Sequence, residues 1–241
     1  MIVNPAHHTA LNARKRLIQD GHLPVDRELR LVELLVRAVK HCAKESVLWA
    51  HRRWCLNHCA TRNDPSRQIF SATTACEEFS LIRQACTIYP RNYHGWTHWR
   101  YTLDTCSSIL CSLPEGDASD QLASVVLQEL RALREWINTH TTDYSAIHHI
   151  VQSSCAVDRL LSSSINPSAR RDFEFEFSPE SLGHHALALL SPGERLRSEA
   201  YYLYVRTVLA LLPPDKKPDL MNELIKVDRA SFSHIRMPLS M

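Results

Sequence analysis

The sequence predicts an all-α protein built as a stack of about five helical hairpins. Three observations predict it: scarce glycine, prolines that fall between periodic segments, and an apolar anchor that recurs at hairpin spacing. Only five of the 241 residues are glycine. Barrels and sandwiches need many more for their tight turns, whereas long helices with short connections need almost none. Pro24, Pro65, Pro90, Pro114, Pro167, Pro179, Pro192 and the pair Pro213-Pro214 all sit between periodic stretches, where the missing N–H and fixed φ do no harm.

The periodic stretches follow in order. Residues 27–41 place Leu31, Leu34, Leu35 and Ala38 on one helical stripe. Residues 76–89 do the same with Phe79, Ile82, Ala85 and Cys86, and residues 122–138 with Val125, Val126, Leu130, Leu133 and Ile137. Residues 194–212 form a further long helix. Phe173, Phe175 and Phe177 alternate with glutamates, but a lone strand has no partner in such a chain, so 173–177 reads as a connecting loop.

Five segments share an anchor followed three positions later by a second large residue, often arginine. The anchors are Leu11, Trp49, Trp96, Ile147 and, in the weakest copy, Leu203. The copies lie around 4–18, 44–58, 91–105, 142–155 and 198–212 of one helical-repeat domain spanning 1–241. Each interval between anchors is long enough for two helices and two connections, the period of stacked hairpins. Anchor and arginine lie one turn apart and share a face. The anchor can then pack between hairpins while an arginine fork bonds a neighbour's carbonyls or carboxylates, the role expected of Arg14, Arg52 and Arg206. The expected architecture is a right-handed α-α superhelix of the tetratricopeptide-like kind.

Composition bounds the function. The apolar fraction is 44%, the charged fraction 22% and the net charge +2, too small to argue for nucleic acid or an anionic membrane. No run of about 18 apolar residues is present, so no membrane span is expected. Residues 1–15 do not read as a signal peptide, and cytoplasmic residence with eight reduced cysteines is expected. The chain opens almost inside the first copy, which leaves room for a preceding helix against Leu11 and Leu17. Adjacent histidines, His148-His149 and His184-His185, point about 100° apart on a helix and chelate poorly. Cys55 and Cys59, with His58 between them, lack a second ligand pair for zinc, so no metal site is expected. Arg52-Arg53 and Arg170-Arg171 read as exposed salt-bridge partners. No nucleophile constellation, phosphate loop or dinucleotide fingerprint occurs.

Two segments carry a family resemblance. Trp49-Ala-His-Arg-Arg-Trp54 and Tyr89-Pro-Arg-Asn-Tyr-His-Gly-Trp96 resemble the repeat of protein prenyltransferase alpha subunits, as does the opening Asn4-Pro-x-His-x-Thr-Ala-x-Asn-x-Arg-Lys15. Within the family the likeness is nearest to the alpha-subunit-repeat-containing group. The resemblance implies one half of a heterodimer. A separate beta subunit would hold zinc and a farnesyl or geranylgeranyl diphosphate, and the prenyl group would pass to a cysteine thiol of an acceptor protein. No cofactor is implied in this chain. The resemblance places a lysine five residues before the second tryptophan, here Lys44. It places a tyrosine and histidine before the third, here Tyr93 and His94. All three would assist the departing diphosphate. Trp99 stands where the third copy would have arginine, and Ile147 and Ile150 replace both key residues of the fourth. Those departures keep a second reading open: a non-catalytic helical-repeat adaptor that binds a partner protein.

Overall fold

A computed structural model describes residues 4–61, 70–140, 142–163, 165–190 and 199–233. Pro65, Pro192 and the stretch 194–198 of the expected last helix lie outside them. Among the described residues the regular structure is helical throughout. The helices are α1 (His8–Gln19), α2 (Val25–Ala38), α3 (Ser46–Thr61), α4 (Ala72–Ile88), α5 (Tyr93–Ser112), α6 (Asp117–Thr139), α7 (Tyr144–Gln152), α8 (Ser154–Leu161), α9 (Pro167–Phe177), α10 (Pro179–Leu190), α11 (Glu199–Leu211) and α12 (Lys217–Ser233). A short 3-10 turn, Lys40–Lys44, leads into α3.

The helices form two layers. The anchor layer runs α1 to α3 to α5 to α7 and α8, with α11 against α7; the second runs α2 to α4 to α6 to α9 and α10, then α12. From α3 on, each anchor helix also packs against the helix just before it, as α5 does against α4 and α11 against α10. Leu11, Trp49, Trp96 and Ile147 are all buried. Each lies four residues after the position that opens its helix. His7, Asn92 and Asp143 are side-chain caps there, each accepting from the backbone N–H three residues on. The fifth copy differs: Leu203 is 41% exposed, Tyr201 and Tyr204 are buried instead, and Arg206 is exposed. Tyr201 donates to the carbonyl of Ile137, so the aromatic ring that can reach a polar partner takes the inner place.

Two expectations fail for related reasons. Residues 173–177 are helix, not loop: Asn166 caps α9, Pro167 sits in its first turn, and Phe173 and Phe177 lie one turn apart inside the core. Phe175 faces out. The even spacing that imitates a strand is also the i, i+4 spacing of a helix. The helix stops at Ser178, which is extended (ψ 154°) because the ring of Pro179 disfavours helical backbone before it. In α2, Leu34 is 62% exposed and Ala38 is also outside, while Glu28, Val32 and Val36 form the inner face. A carboxylate occupies a place that hydrophobic patterning gives to leucine.

That carboxylate belongs to a ladder. Arg14 of α1 donates its Nε–H to Glu28, shared between the two carboxylate oxygens at 2.9 Å, and His51 of α3 donates to it from Nε2 at 2.8 Å. The next rung repeats the arrangement: Arg52 Nε bonds Glu78 of α4 at 2.8 Å, and His98 Nε2 of α5 bonds it at 2.9 Å. Arg52 also donates to the carbonyl of Leu29 at 2.9 Å. Each glutamate therefore ties two consecutive anchor helices to the second layer. Burial pushes the Glu78 carboxyl up, but the Arg52 charge and the bonds from His98 and Arg52 outweigh it and hold it down to about 2. Burial keeps His98 below the usual histidine range, so a neutral ring donates to a charged carboxylate. On the third rung Trp99 stands in for arginine: its indole N–H donates to Glu129 of α6 at 2.8 Å, and Arg83 of α4 supplies the charge. The histidine of that rung, His149, is 5% exposed and both its ring nitrogens lack partners. Burial, with His148 and Arg100 nearby, lowers it to about 4. Beyond it the helix breaks at Ser153, whose hydroxyl bonds the carbonyl of Ile150.

Glu78→Gln leaves the Arg52 charge buried without its counterion and costs about 3–5 kcal/mol in urea unfolding at neutral pH. The pH dependence has one sign. Glu78 and His149 both have folded values below their unfolded ones. The histidine contribution is lost as pH falls from about 6.5 toward 4, and the carboxylate contribution below about 4.5. His149→Phe therefore raises stability at pH 5 by about 2 kcal/mol more than at pH 7.5, read as a shift in urea midpoint.

Candidate functional site

The candidate residues gather where the anchor helices begin. Asn92, buried, is the hinge of the arrangement. Its side-chain oxygen accepts from Gly95 N at 3.0 Å, and its amide nitrogen donates to the Ala43 carbonyl at 2.6 Å. The Trp49 indole donates to that same carbonyl at 2.8 Å. The residue before Lys44 is thus tied to the residue before Tyr93. Gly95 keeps this corner tight: a Cβ there would lie 3.2 Å from the Asn92 side chain and from the Cys86 sulfur, which would have to give by a few tenths of an ångström.

Lys44 is exposed at the end of the 3-10 turn. Its ammonium lies 3.2 Å from the Tyr89 hydroxyl and 4.8 Å from the centre of that ring. It has no carboxylate partner among the described residues. Tyr93 is 63% exposed at the first position of α5, and half-buried His94 meets it edge to face at 5.5 Å. All three expected residues therefore reach the surface at one end of the α3–α5 pair. Lys44 is further held by Tyr89, a residue inside the quoted motif to which the sequence reading gave no role.

A second cation escaped that reading. Arg91, just before the cap, is exposed and lies over the ring of Tyr144 at 5.9 Å, much as Lys44 lies over Tyr89. Its φ is +58°, left-handed backbone that a side-chain-bearing residue adopts only at a cost of about 1–2 kcal/mol. The turn through Pro90 and Arg91 reverses the chain between α4 and α5 in four residues. The signal available in sequence was the repeat itself: Lys44 and Arg91 occupy the last position or so before successive anchor helices. Asp143 serves the next copy as Asn92 serves this one, capping α7 and accepting from the indoles of Trp96 and Trp136 at 3.2 and 3.1 Å.

Chemically this end offers cations, a phenol, an imidazole and the positive ends of α3 and α5, a setting for an anion. Among the described residues, no three His, Cys, Asp or Glu side chains converge as a metal-ligand group, and no helix is long and apolar enough to cross a membrane.

Fold and site together define an all-helical repeat protein whose helices are keyed by buried tryptophans and capped by side-chain amides and carboxylates. One of its repeats is similar to that of protein prenyltransferase alpha subunits: residues 75–106 match the family model of that repeat, a match that spans most of α4 and α5. The chain is 27% identical over 194 residues to a zebrafish (Danio rerio) protein named protein prenyltransferase alpha subunit repeat-containing protein 1, covering 74% of this chain and 40% of that one. It is 27% identical over 162 residues to a Xenopus laevis protein of the same name, form 1-B, covering 62% and 34%. The human protein of that name is 25% identical over 160 residues, covering 62% and 36%. The chain thus spans about two fifths or less of the length of these relatives. Their names describe repeats and no reaction.

Asn92→Ala removes both the cap and the Ala43 tie. It lowers stability by about 1–2 kcal/mol in chemical unfolding, whereas Tyr93→Ala, at an exposed position, stays within about 0.5 kcal/mol of the parent.

Proposed function

We propose that this chain is the alpha-like subunit of a heterodimeric protein prenyltransferase, with Lys44, Tyr93 and His94 assisting the diphosphate. One observation carries the reading: Lys44, whose ammonium has no carboxylate partner among the described residues, is held by Tyr89, and the residue before it is tied through Asn92 to the helix start that bears Tyr93 and His94. In the proposed reaction the acceptor cysteine thiolate attacks the first carbon of the prenyl chain. A C–S bond forms, the C–O bond to the diphosphate breaks, and the diphosphate leaves with the electron pair. Lys44 neutralises the charge gathering on the leaving oxygens, and the Tyr93 hydroxyl and a His94 N–H donate hydrogen bonds to them. Tyr89 restrains Lys44 beforehand, which limits the ordering cost when the anion arrives. The proposal assigns the metal, the farnesyl or geranylgeranyl pocket and the acceptor cysteine's site to a beta subunit. The cytoplasm is the compartment that fits, with eight cysteines free of disulfides.

The second reading is a non-catalytic adaptor. The unpartnered His149 and the break at Ser153 favour it, because they mark the fourth copy as a departure from the repeated design.

The test is co-expression with farnesyl- and geranylgeranyl-transferase beta subunits, then prenyl transfer to a cysteine-containing acceptor. The expected result is a stable complex whose transfer rate drops about 10–100-fold in Lys44→Ala, with the complex intact. A complex without transfer under either donor supports the adaptor. No complex with either beta subunit overturns the heterodimer.

A further inference from the structure

The outward side of α5 lines a groove of about 620 Å³ that runs four turns from Thr97 to Ser112, with Arg53 of α3 contributing from beside it. Arg53 is the unusual member. Its guanidinium lies 5.1 Å from the centre of the Tyr101 ring, its Nε is buried and bonds nothing, and no carboxylate among the described residues pairs with it. Its neighbours in sequence and space are satisfied: Arg52 has Glu78, and Arg100 has Asp104 at 2.7 Å. Asp104 also takes Arg159 of α8. Arg100 and Arg159 therefore share one carboxylate while Arg53 has none among the described residues, an excess of positive charge in a partly desolvated place where an incoming anion gains most.

The rest of the groove suits a peptide better than a small ion. The hydroxyls of Thr97, Thr105 and Ser108 each donate to the backbone carbonyl one turn back at 2.8 Å. Their oxygens remain free to accept backbone N–H groups. Four helical turns measure roughly 22 Å, the length of about six or seven extended residues. Ile109 offers an apolar surface eight residues beyond Tyr101, about 12 Å along the helix or about four extended residues.

We propose that this groove binds an extended acidic peptide segment of a partner protein, with its carboxylates on Arg53 and Arg100 and an apolar side chain about four residues later on Ile109. It uses neither Lys44, Tyr93 nor His94 and does not depend on the prenyl-transfer reading.

The experiment uses the full chain and a fluorescein-labelled peptide, Glu-Glu-Ser-Gly-Ser-Leu, read by fluorescence anisotropy. Saturable binding that weakens with added salt is expected. Arg53→Gln should weaken it about ten-fold with little change in the thermal melt, because Arg53 has no ion pair among the described residues to lose. Arg53→Lys should retain most of the binding, and Ser108→Trp, at an exposed position, should block the groove. Arg171→Gln, exposed on α9 and outside the groove, should stay within about two-fold. The proposal is overturned by any of four results: no saturable binding, equal binding of the version with lysines for glutamates, equal loss with Arg171→Gln, or undiminished binding by Ser108→Trp. Tight binding to phosphatidylserine vesicles that is lost in Arg53→Gln, with no peptide binding, would overturn it in favour of a membrane surface.

Discussion

A buried glutamate shared between successive anchor helices is the constraint on which the array depends. Helices carrying large tryptophans could pack against one another in several registers, since burial of apolar surface is not directional. Glu28 and Glu78 remove that freedom. Each is 0–3% exposed and satisfied by one guanidinium from its own anchor helix's side and one imidazole from the next. A slip along the helix axis would strand a charge in the core. The anchors supply the apolar burial, and the glutamates decide which turn meets which.

The same register builds the surface. Once Arg52 and His98 meet on Glu78, α3 and α5 begin side by side, and Asn92 can reach the Ala43 carbonyl. Lys44, Tyr93 and His94 are then carried to one end as a consequence of core geometry. Further along α5, the same placement leaves Arg53, next in sequence to Arg52, on the outer wall without a counterion among the described residues. Two adjacent arginines thus have opposite fates because a helix turns about 100° per residue.

The substitutions on the third rung illustrate how such a ladder tolerates change. Trp99 keeps the hydrogen bond to the glutamate but not the charge, and Arg83 restores the charge from the second layer. His149 no longer has the carboxylate partner that His51 and His98 enjoy, and it remains neutral in the core. The departure read in sequence as a lost arginine is, in the fold, a rearranged rung.

The sequence by itself determined the helical class and the anchors Leu11, Trp49, Trp96 and Ile147, and it singled out Lys44, Tyr93 and His94 by motif. These rest on local rules of period, capping and proline placement, which act over a few residues. It misjudged 173–177, the inner face of α2, the last anchor and Arg206, because a charged or alternating residue carries no local sign of a buried partner. Glu28, Glu78 and Glu129 recur at nearly even intervals, yet nothing short of their partners distinguishes them from surface glutamates. Those partners lie 14 to 46 residues away. Only the tertiary structure brings them together, because the cost of burying a charge is offset only by a counterion that packing alone can deliver.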